Sequence, residues 1–217
     1  MDFENRLHRV SQELIPQHEN QGYPPVISWY LRHPPMKFGQ DGSPQIPLEP
    51  HSHLLEVARL LGAQVDFLVI PSNTPHLFLQ EIEEAAGREV LSIVELVVKE
   101  LRKRAAKRVG VLAIGFTLEH GLYQHRLAEE NMTCEIISSE IATKLDKAIF
   151  TVMEGKNGHD EVSIATEAIR FLRDKRVDSI VLGCSEVPLL MRQEEKLEDL
   201  INPAQLLAEA AVRHALT

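Results

Sequence analysis

Apolar residues at three- and four-residue spacing open the chain. Phe3, Leu7, Val10 and Leu14 share one face and predict a helix over residues 2–17, closing near Pro16. Turn chemistry follows in 20–25, and then a short strand is expected over 26–31. Residues 32–48 hold four prolines and two glycines and read as a long loop; loops of that length are often functional lids. Leu54, Leu55, Val57, Ala58 and Leu61 form an inward stripe, so 50–61 reads as a helix with Gly62 as its stop signal. The apolar run 65–70 is too short for a helix and is expected to be a strand covered on both faces, as in parallel sheets. A helix over 74–86 closed by Gly87, a strand at 90–91 and a helix over 93–106 with a basic end complete the first half. The second half reads as strand 109–114, helix 118–131, strand 134–137, helices 139–153 and 159–174, strand 179–182 and a closing helix over 204–216. Strands alternating with helices predict an α/β fold of parallel sheets with right-handed crossovers.

One strand-and-turn occurs twice. Val65-Asp66, an apolar run and then Pro71-Ser72-Asn73-Thr74 match Val177-Asp178, an apolar run and then Gly183-Cys184-Ser185-Glu186. Matched positions lie 112 residues apart, as Ser72 and Cys184 do. The repeat predicts two turns facing one cleft, with Ser72 and Cys184 on opposite sides of a substrate carbon. Residues 20–28 likewise parallel 130–138, but strand 109–114 has no counterpart ahead of them. The first half is therefore expected to lack its opening strand and the loop after it, through truncation or as a natural variant with a smaller sheet.

Composition narrows the class. The net charge of −9 and the lack of a basic stripe argue against nucleic acid as a partner. No apolar run reaches the roughly 18 residues of a membrane span, and the first residues do not read as a signal peptide. Cys134 and Cys184 suggest no disulfide, so a reducing cytoplasm is the expected compartment.

Cys184 is the leading chemical candidate, because it ends a buried strand just before a helix start. Ligands of open α/β sheets bind at that edge. The helix start is expected to lower the thiol pKa, and the backbone N–H groups of Ser185 and Glu186 to receive a carboxylate. The competing reading is a small buried cysteine packing like alanine. Ser72, Asn73 and Thr74 form the other turn, in which Asn73 and Thr74 offer donors and Thr74 is also a helix cap. A serine hydroxyl needs an adjacent base, and the nearest in sequence is His76, expected otherwise to face solvent or the cleft rim. Thr117 is a further anion-binding or capping candidate. His51 and His53, as alternate helix residues, are expected to face apart, so no metal is expected. No phosphate loop or dinucleotide fingerprint occurs, and the acidic run 193–199 reads as solvated surface.

The segments Pro71-Ser72-Asn73-Thr74-Pro75-His76 and Leu182-Gly183-Cys184-Ser185-Glu186-Val187-Pro188 resemble the paired active-site motifs of the aspartate/glutamate racemase family. Hydantoin racemases, maleate isomerases and arylmalonate decarboxylases belong to the same superfamily. Val109 to Ala113, Thr117, Gly121-Leu122-Tyr123, Glu154-Gly155-Lys156 and Asn202 to Ala208 extend the likeness over nearly the whole chain. The resemblance implies two similar Rossmann-like α/β domains related by a pseudo-twofold duplication, a site between them, no cofactor and commonly a homodimer. The domains are expected at 1–104 with 205–217 and at 105–204. It further implies a small carboxylate or amino-acid substrate, with Cys184 as one of two proton-transferring thiols. Asn73 and Thr74 match carboxylate-binding positions, and Thr117 and Ser185 match further substrate contacts. The chain departs from the family at Ser72, where the first cysteine stands, at Ile114 beside Phe116, and in the loop 29–36. Arg32 in that loop is either a bidentate carboxylate ligand or a solvated arginine. Three readings follow: a racemase pairing Cys184 with Ser72, a one-thiol decarboxylase or isomerase, and a non-catalytic carboxylate-binding relative.

Overall fold

The computed structural model describes residues 2–15, 23–31, 33–156, 158–191 and 197–217. The chain divides into two compact units, Met1–Ser92 with Leu207–Thr217, and Ile93–Leu206. The expected boundary at 104/105 lies one helix further along. Helix α4 (Ile93–Lys103 in the structure, numbered below in chain order) joins the second unit for a physical reason. Its Glu95 and Arg102 pair with Arg126 and Glu130 of that unit, at 2.6 Å each.

The first unit carries α1 (Asp2–Leu14), α2 (Ser52–Gly62), β1 (Leu68–Val69), a 3₁₀ turn (Thr74–Phe78), α3 (Leu79–Ala86) and β2 (Val90–Leu91). α3 ends on Gly87 in the left-handed conformation, φ 61°. β1 and β2 pair in parallel, Leu68 opposite Val90 and Val69 opposite Leu91. α1 buries Leu7 and Val10 against Phe67, Val69 and Leu91, joined by Ala208, Ala211 and Val212 from the end of α10 (Pro203–Ala215).

Two expectations fail here. Residues 26–31 form no strand; Val26, Ile27, Trp29 and Tyr30 are exposed. The strand expected over 65–70 shrinks to Leu68–Val69, and of 65–70 only Leu68 is buried. A strand persists only where a neighbour takes up its backbone groups, and β1 has one on a single edge.

In the second unit β3 (Arg108–Leu112), β4 (Thr133–Ile136), β5 (Ser179–Leu182) and β6 (Leu200–Ile201) form a parallel sheet in the order β4-β3-β5-β6. β3 and β5 are buried as the sequence implies: Val109, Val111, Leu112, Ile180 and Val181 have no exposed surface. α7 (Ser139–Met153) and α8 (His159–Asp174) supply Leu145, Ile149, Ala168 and Leu172 to its core. The helix expected over 118–131 is instead two short ones, α5 (Gly115–Glu119) and α6 (Gln124–Glu129). The chain turns between them at Gly121, whose φ of 65° suits glycine. α9 (Val187–Met191) is a single turn after β5. β6, two residues long, was not evident in the sequence pattern.

Gly62 is the last residue of α2 rather than a stop beyond it. A Cβ there would sit 2.1 Å from the backbone oxygen of Ala86 in α3, so the glycine sets the approach of the two helices. Gly62→Ala is expected to destabilise the protein by about 2 kcal/mol through overpacking. Urea denaturation should show a lower midpoint at unchanged slope.

Candidate active site

Cys184 follows β5 directly and is buried. Gly183 before it is fixed by packing, since a Cβ would lie 3.1 Å from both Ala113 and the Tyr123 ring. The Cys184 Sγ donates to Glu186 Oε2 at 3.1 Å, and Ser185 Oγ donates to the same oxygen at 2.8 Å. Burial and then the Glu186 carboxylate raise the thiol well above the ordinary cysteine range, and the Asp146 charge adds to this. The Glu186 backbone N–H acts in the opposite sense but does not win.

The expected lowering of this pKa is thus reversed. α9 is one turn long, too short to build an appreciable dipole, while desolvation of a buried thiolate is large. One of the two amides expected to receive a substrate carboxylate, that of Glu186, is directed at the Cys184 sulfur.

Asp146 and Tyr123 lie near enough to Cys184 to interact with its charge. Asp146, from α7, accepts the Gly115 N–H with both oxygens, at 3.1 and 3.2 Å, and burial raises its pKa. Tyr123 is fully buried, and burial followed by the Cys184 charge pushes its phenol upward. Thr117 is buried within α5; the residue capping that helix is Ile114. The side chain of Glu186, as a proton acceptor for the thiol, was missed by sequence reasoning that considered only its amide. The available signal was a carboxylate two residues after a cysteine at a strand end. Asp146 carried no local signal.

The Ser72 turn belongs to the first unit. Ser72 is exposed, and its carbonyl accepts the His76 Nδ1–H at 2.9 Å. His76 is buried rather than at a solvent rim, and its ring is also held by the Leu91 backbone. Burial lowers its pKa, so the imidazole is neutral and occupied by backbone groups rather than poised on the Ser72 hydroxyl. Asn73 is buried ahead of the 3₁₀ turn, and half-buried Thr74 begins it. Arg32 lies outside the described residues.

His51 and His53 do not face apart. His51 is the N-cap of α2, accepting the His53 N–H at 3.2 Å, so their ring centroids come within 5.3 Å. Among the described residues no group of His, Cys, Asp or Glu has a metal-holding arrangement. Among the same residues no helix is long and apolar enough to cross a membrane.

A buried thiol stands at the end of a parallel strand of an α/β scaffold, with a carboxylate against it. The chain belongs to the Asp/Glu/hydantoin racemase family, whose model matches residues 9–211. It is 30% identical over 143 residues to a glutamate racemase of Aquifex aeolicus, which covers 64% of this chain and 53% of that protein. It is 24% identical over 148 residues to a broad specificity amino-acid racemase of Bacillus subtilis, covering 68% of this chain and 64% of the relative. The chain spans about half the length of the glutamate racemases it matches, 53% in two of them. In fold it resembles an aspartate racemase homologue from Pyrococcus horikoshii, with a TM-score of 0.75, 20% identity and coverage of 99% of this chain and 92% of the other. It also resembles an aspartate racemase from Picrophilus torridus, with a TM-score of 0.61, 22% identity and coverage of 76% and 70%.

A raised thiol pKa has a direct chemical readout, because the thiolate is the form that reacts. At neutral pH, Cys184 should react with iodoacetamide more slowly than free cysteine and accelerate as pH rises into the alkaline range. Glu186→Gln removes the carboxylate that disfavours the thiolate, so the midpoint of the alkylation profile should move to lower pH. Peptide mass mapping separates this signal from Cys134, whose thiol burial raises to about 11.

Proposed function

We propose that the protein is a cofactor-independent amino-acid racemase of the aspartate/glutamate type, in which Cys184 exchanges the α-proton of a small carboxylate-bearing substrate. The hydrogen bond from Cys184 Sγ to Glu186 Oε2 carries this reading. Transfer of the Sγ proton to the carboxylate leaves a thiolate and a neutral acid. The thiolate takes the substrate α-proton, and the electron pair left on carbon delocalises into the substrate carboxylate. Delivery of a proton to the opposite face completes inversion; return of the same proton restores the starting enantiomer. A positioned base of this kind contributes about 10²- to 10⁴-fold. Ser72 is assigned the second proton-transfer position, with Asn73, Thr74, Thr117 and Ser185 as substrate-binding residues, on the strength of the family motif.

A second reading has its own support. The His76 ring is engaged by backbone groups, so among the described residues no base is aimed at the Ser72 hydroxyl. A hydroxyl without one is a poor proton acceptor. That favours one-sided chemistry, in which Cys184 alone protonates a carbanion that the reaction itself generates, as in a decarboxylase or isomerase.

Incubation with single enantiomers of aspartate or glutamate in heavy water distinguishes the two. α-Deuterium with inversion supports racemisation, and α-deuterium with retention supports one-sided transfer. No exchange with any amino-acid enantiomer counts against both as applied to amino acids. Cys184→Ala should abolish exchange, and the rate should rise with pH as the thiolate forms. Ser72→Cys should raise inversion by at least about tenfold if a second thiol is what the site lacks.

A further inference from the structure

Residues 35–50 of the first unit fold into an irregular antiparallel hairpin that leads into α2. Met36 bridges Pro50 and Phe38 bridges Pro44, both in antiparallel sense. Lys37 N–H donates to Glu49 O at 3.0 Å, Gln45 N–H to Lys37 O at 3.0 Å and His51 N–H to Pro35 O at 2.9 Å. The Met36 side chain is covered in this arrangement, at 4% exposure.

Three imidazoles close the base of the hairpin. His33 stands ahead of its first arm, and His51 and His53 follow its second. The His33 ring stacks on His51, with centroids 5.0 Å apart and planes inclined by 6°, and lies 4.7 Å from His53. His51 and His53 are 5.3 Å apart. These separations are shorter than the Debye length of about 8 Å at physiological salt, so charges on the rings are only partly screened from one another. Lys37 adds a further positive charge that acts on His51. The nearby carboxylates have other partners: Glu49 accepts from Lys37 Nζ at 2.6 Å, and Glu56 lies 3.8 Å from His53.

His51 has a second reason to stay neutral. Its Nδ1 accepts the His53 N–H and so caps α2. An imidazolium carries a proton on both ring nitrogens and cannot accept. It would also set a positive charge at the positive end of the helix dipole. Burial first, and then the charges of His33, His53 and Lys37, lower the His51 pKa.

We infer that this histidine cluster is a pH-operated latch, in which neutral His51 holds the base of the hairpin onto α2 and its protonation releases residues 33–51. The sign follows from linkage. A base whose pKa is depressed in the closed form binds its proton more readily once the hairpin is open, so closure is fully favoured above the open-form value and weakens as pH falls. The window therefore begins at the ordinary imidazole value of about 6.5 and extends below it. Release uncovers Met36.

Oxidation of Met36 by peroxide, followed by peptide mass mapping, reads the latch in the full chain. Its rate at pH 5 should exceed that at pH 7.5 by at least about fivefold, the worth of one lost helix cap. Rates are taken relative to Met153, which is 63% exposed, and Met191 in the second unit, 5% exposed, should not accelerate. Asparagine caps helices without titrating, so His51→Asn should oxidise Met36 equally at both pH values. His33→Gln removes one neighbouring charge and should reduce the acceleration. In the unsubstituted chain the His51 Cε1–H resonance should titrate below the ordinary imidazole value. A Met36 rate that does not change with pH overturns the inference, as does an equal acceleration in His51→Asn. So does acceleration of Met191 in step with Met36, which is general unfolding, or a His51 midpoint at or above about 6.5. No substrate enters these measurements, so the result stands apart from the chemistry proposed for Cys184.

Discussion

Asp178 holds the amides of Lys107 and Arg108 at the start of β3, and β3 in turn holds the second unit together. The strand lies between β4 and β5, bonds to both, and receives the Leu172 side chain on its face. Each backbone group taken up there is one that need not be solvated, and an unpaired buried amide is costly. The neighbours of that central strand, β4 and β5, run to four residues each, and the side chains of β5 are sealed. In the first unit a two-residue strand survives with one partner among the described residues, and residues 26–31 form no strand. The same local sequence pattern therefore gives two outcomes, decided by whether a partner backbone lies alongside.

The thiol depends on this sheet. β5 is fully buried, so the residue that follows it is carried into a dry position, and Gly183 keeps Ala113 and Tyr123 close to it. Burial and two carboxylates make the resting thiol protonated. That state is compatible with proton transfer once a substrate is bound. On the racemase reading proposed above, the ammonium group of an amino-acid substrate would favour the charged form of nearby anions, the thiolate among them. A resting thiol held neutral is also less open to oxidation, because the thiolate is the reactive species.

Most of the second unit was legible in the sequence because its signals are local and mutually supporting. The buried runs around Val111 and Val181 and the stripes of α7 and α8 each predict their own element, and the elements cover one another. Residues 26–31 read as a strand on side-chain pattern alone; pattern cannot report a missing hydrogen-bonding neighbour. The break at Gly121 was hidden inside an apolar stripe that continues past it, and β6 is too short to show a period. For the site, the position of Cys184 was legible from the strand end and the repeat. Its electrostatics were not, because α9 proved one turn long and Asp146 arrives from a helix distant in sequence. His76 was misplaced because a polar residue near a helix start usually faces water, whereas here its ring is used to tie the Ser72 turn to Leu91.

The contrast between the two turns follows from these local attachments. At Cys184 polar groups point at the sulfur: a carboxylate accepts its hydrogen bond and an amide faces it. At Ser72 the nearby imidazole is directed at the backbone carbonyl and is kept neutral by burial, so it stiffens the turn without activating the hydroxyl. Replacing a thiol by a hydroxyl at such a position lowers acidity by many orders of magnitude, and only a base aimed at the oxygen offsets that. Among the described residues, the polar groups aimed at a candidate side chain therefore lie at Cys184, whereas at Ser72 His76 serves the backbone instead.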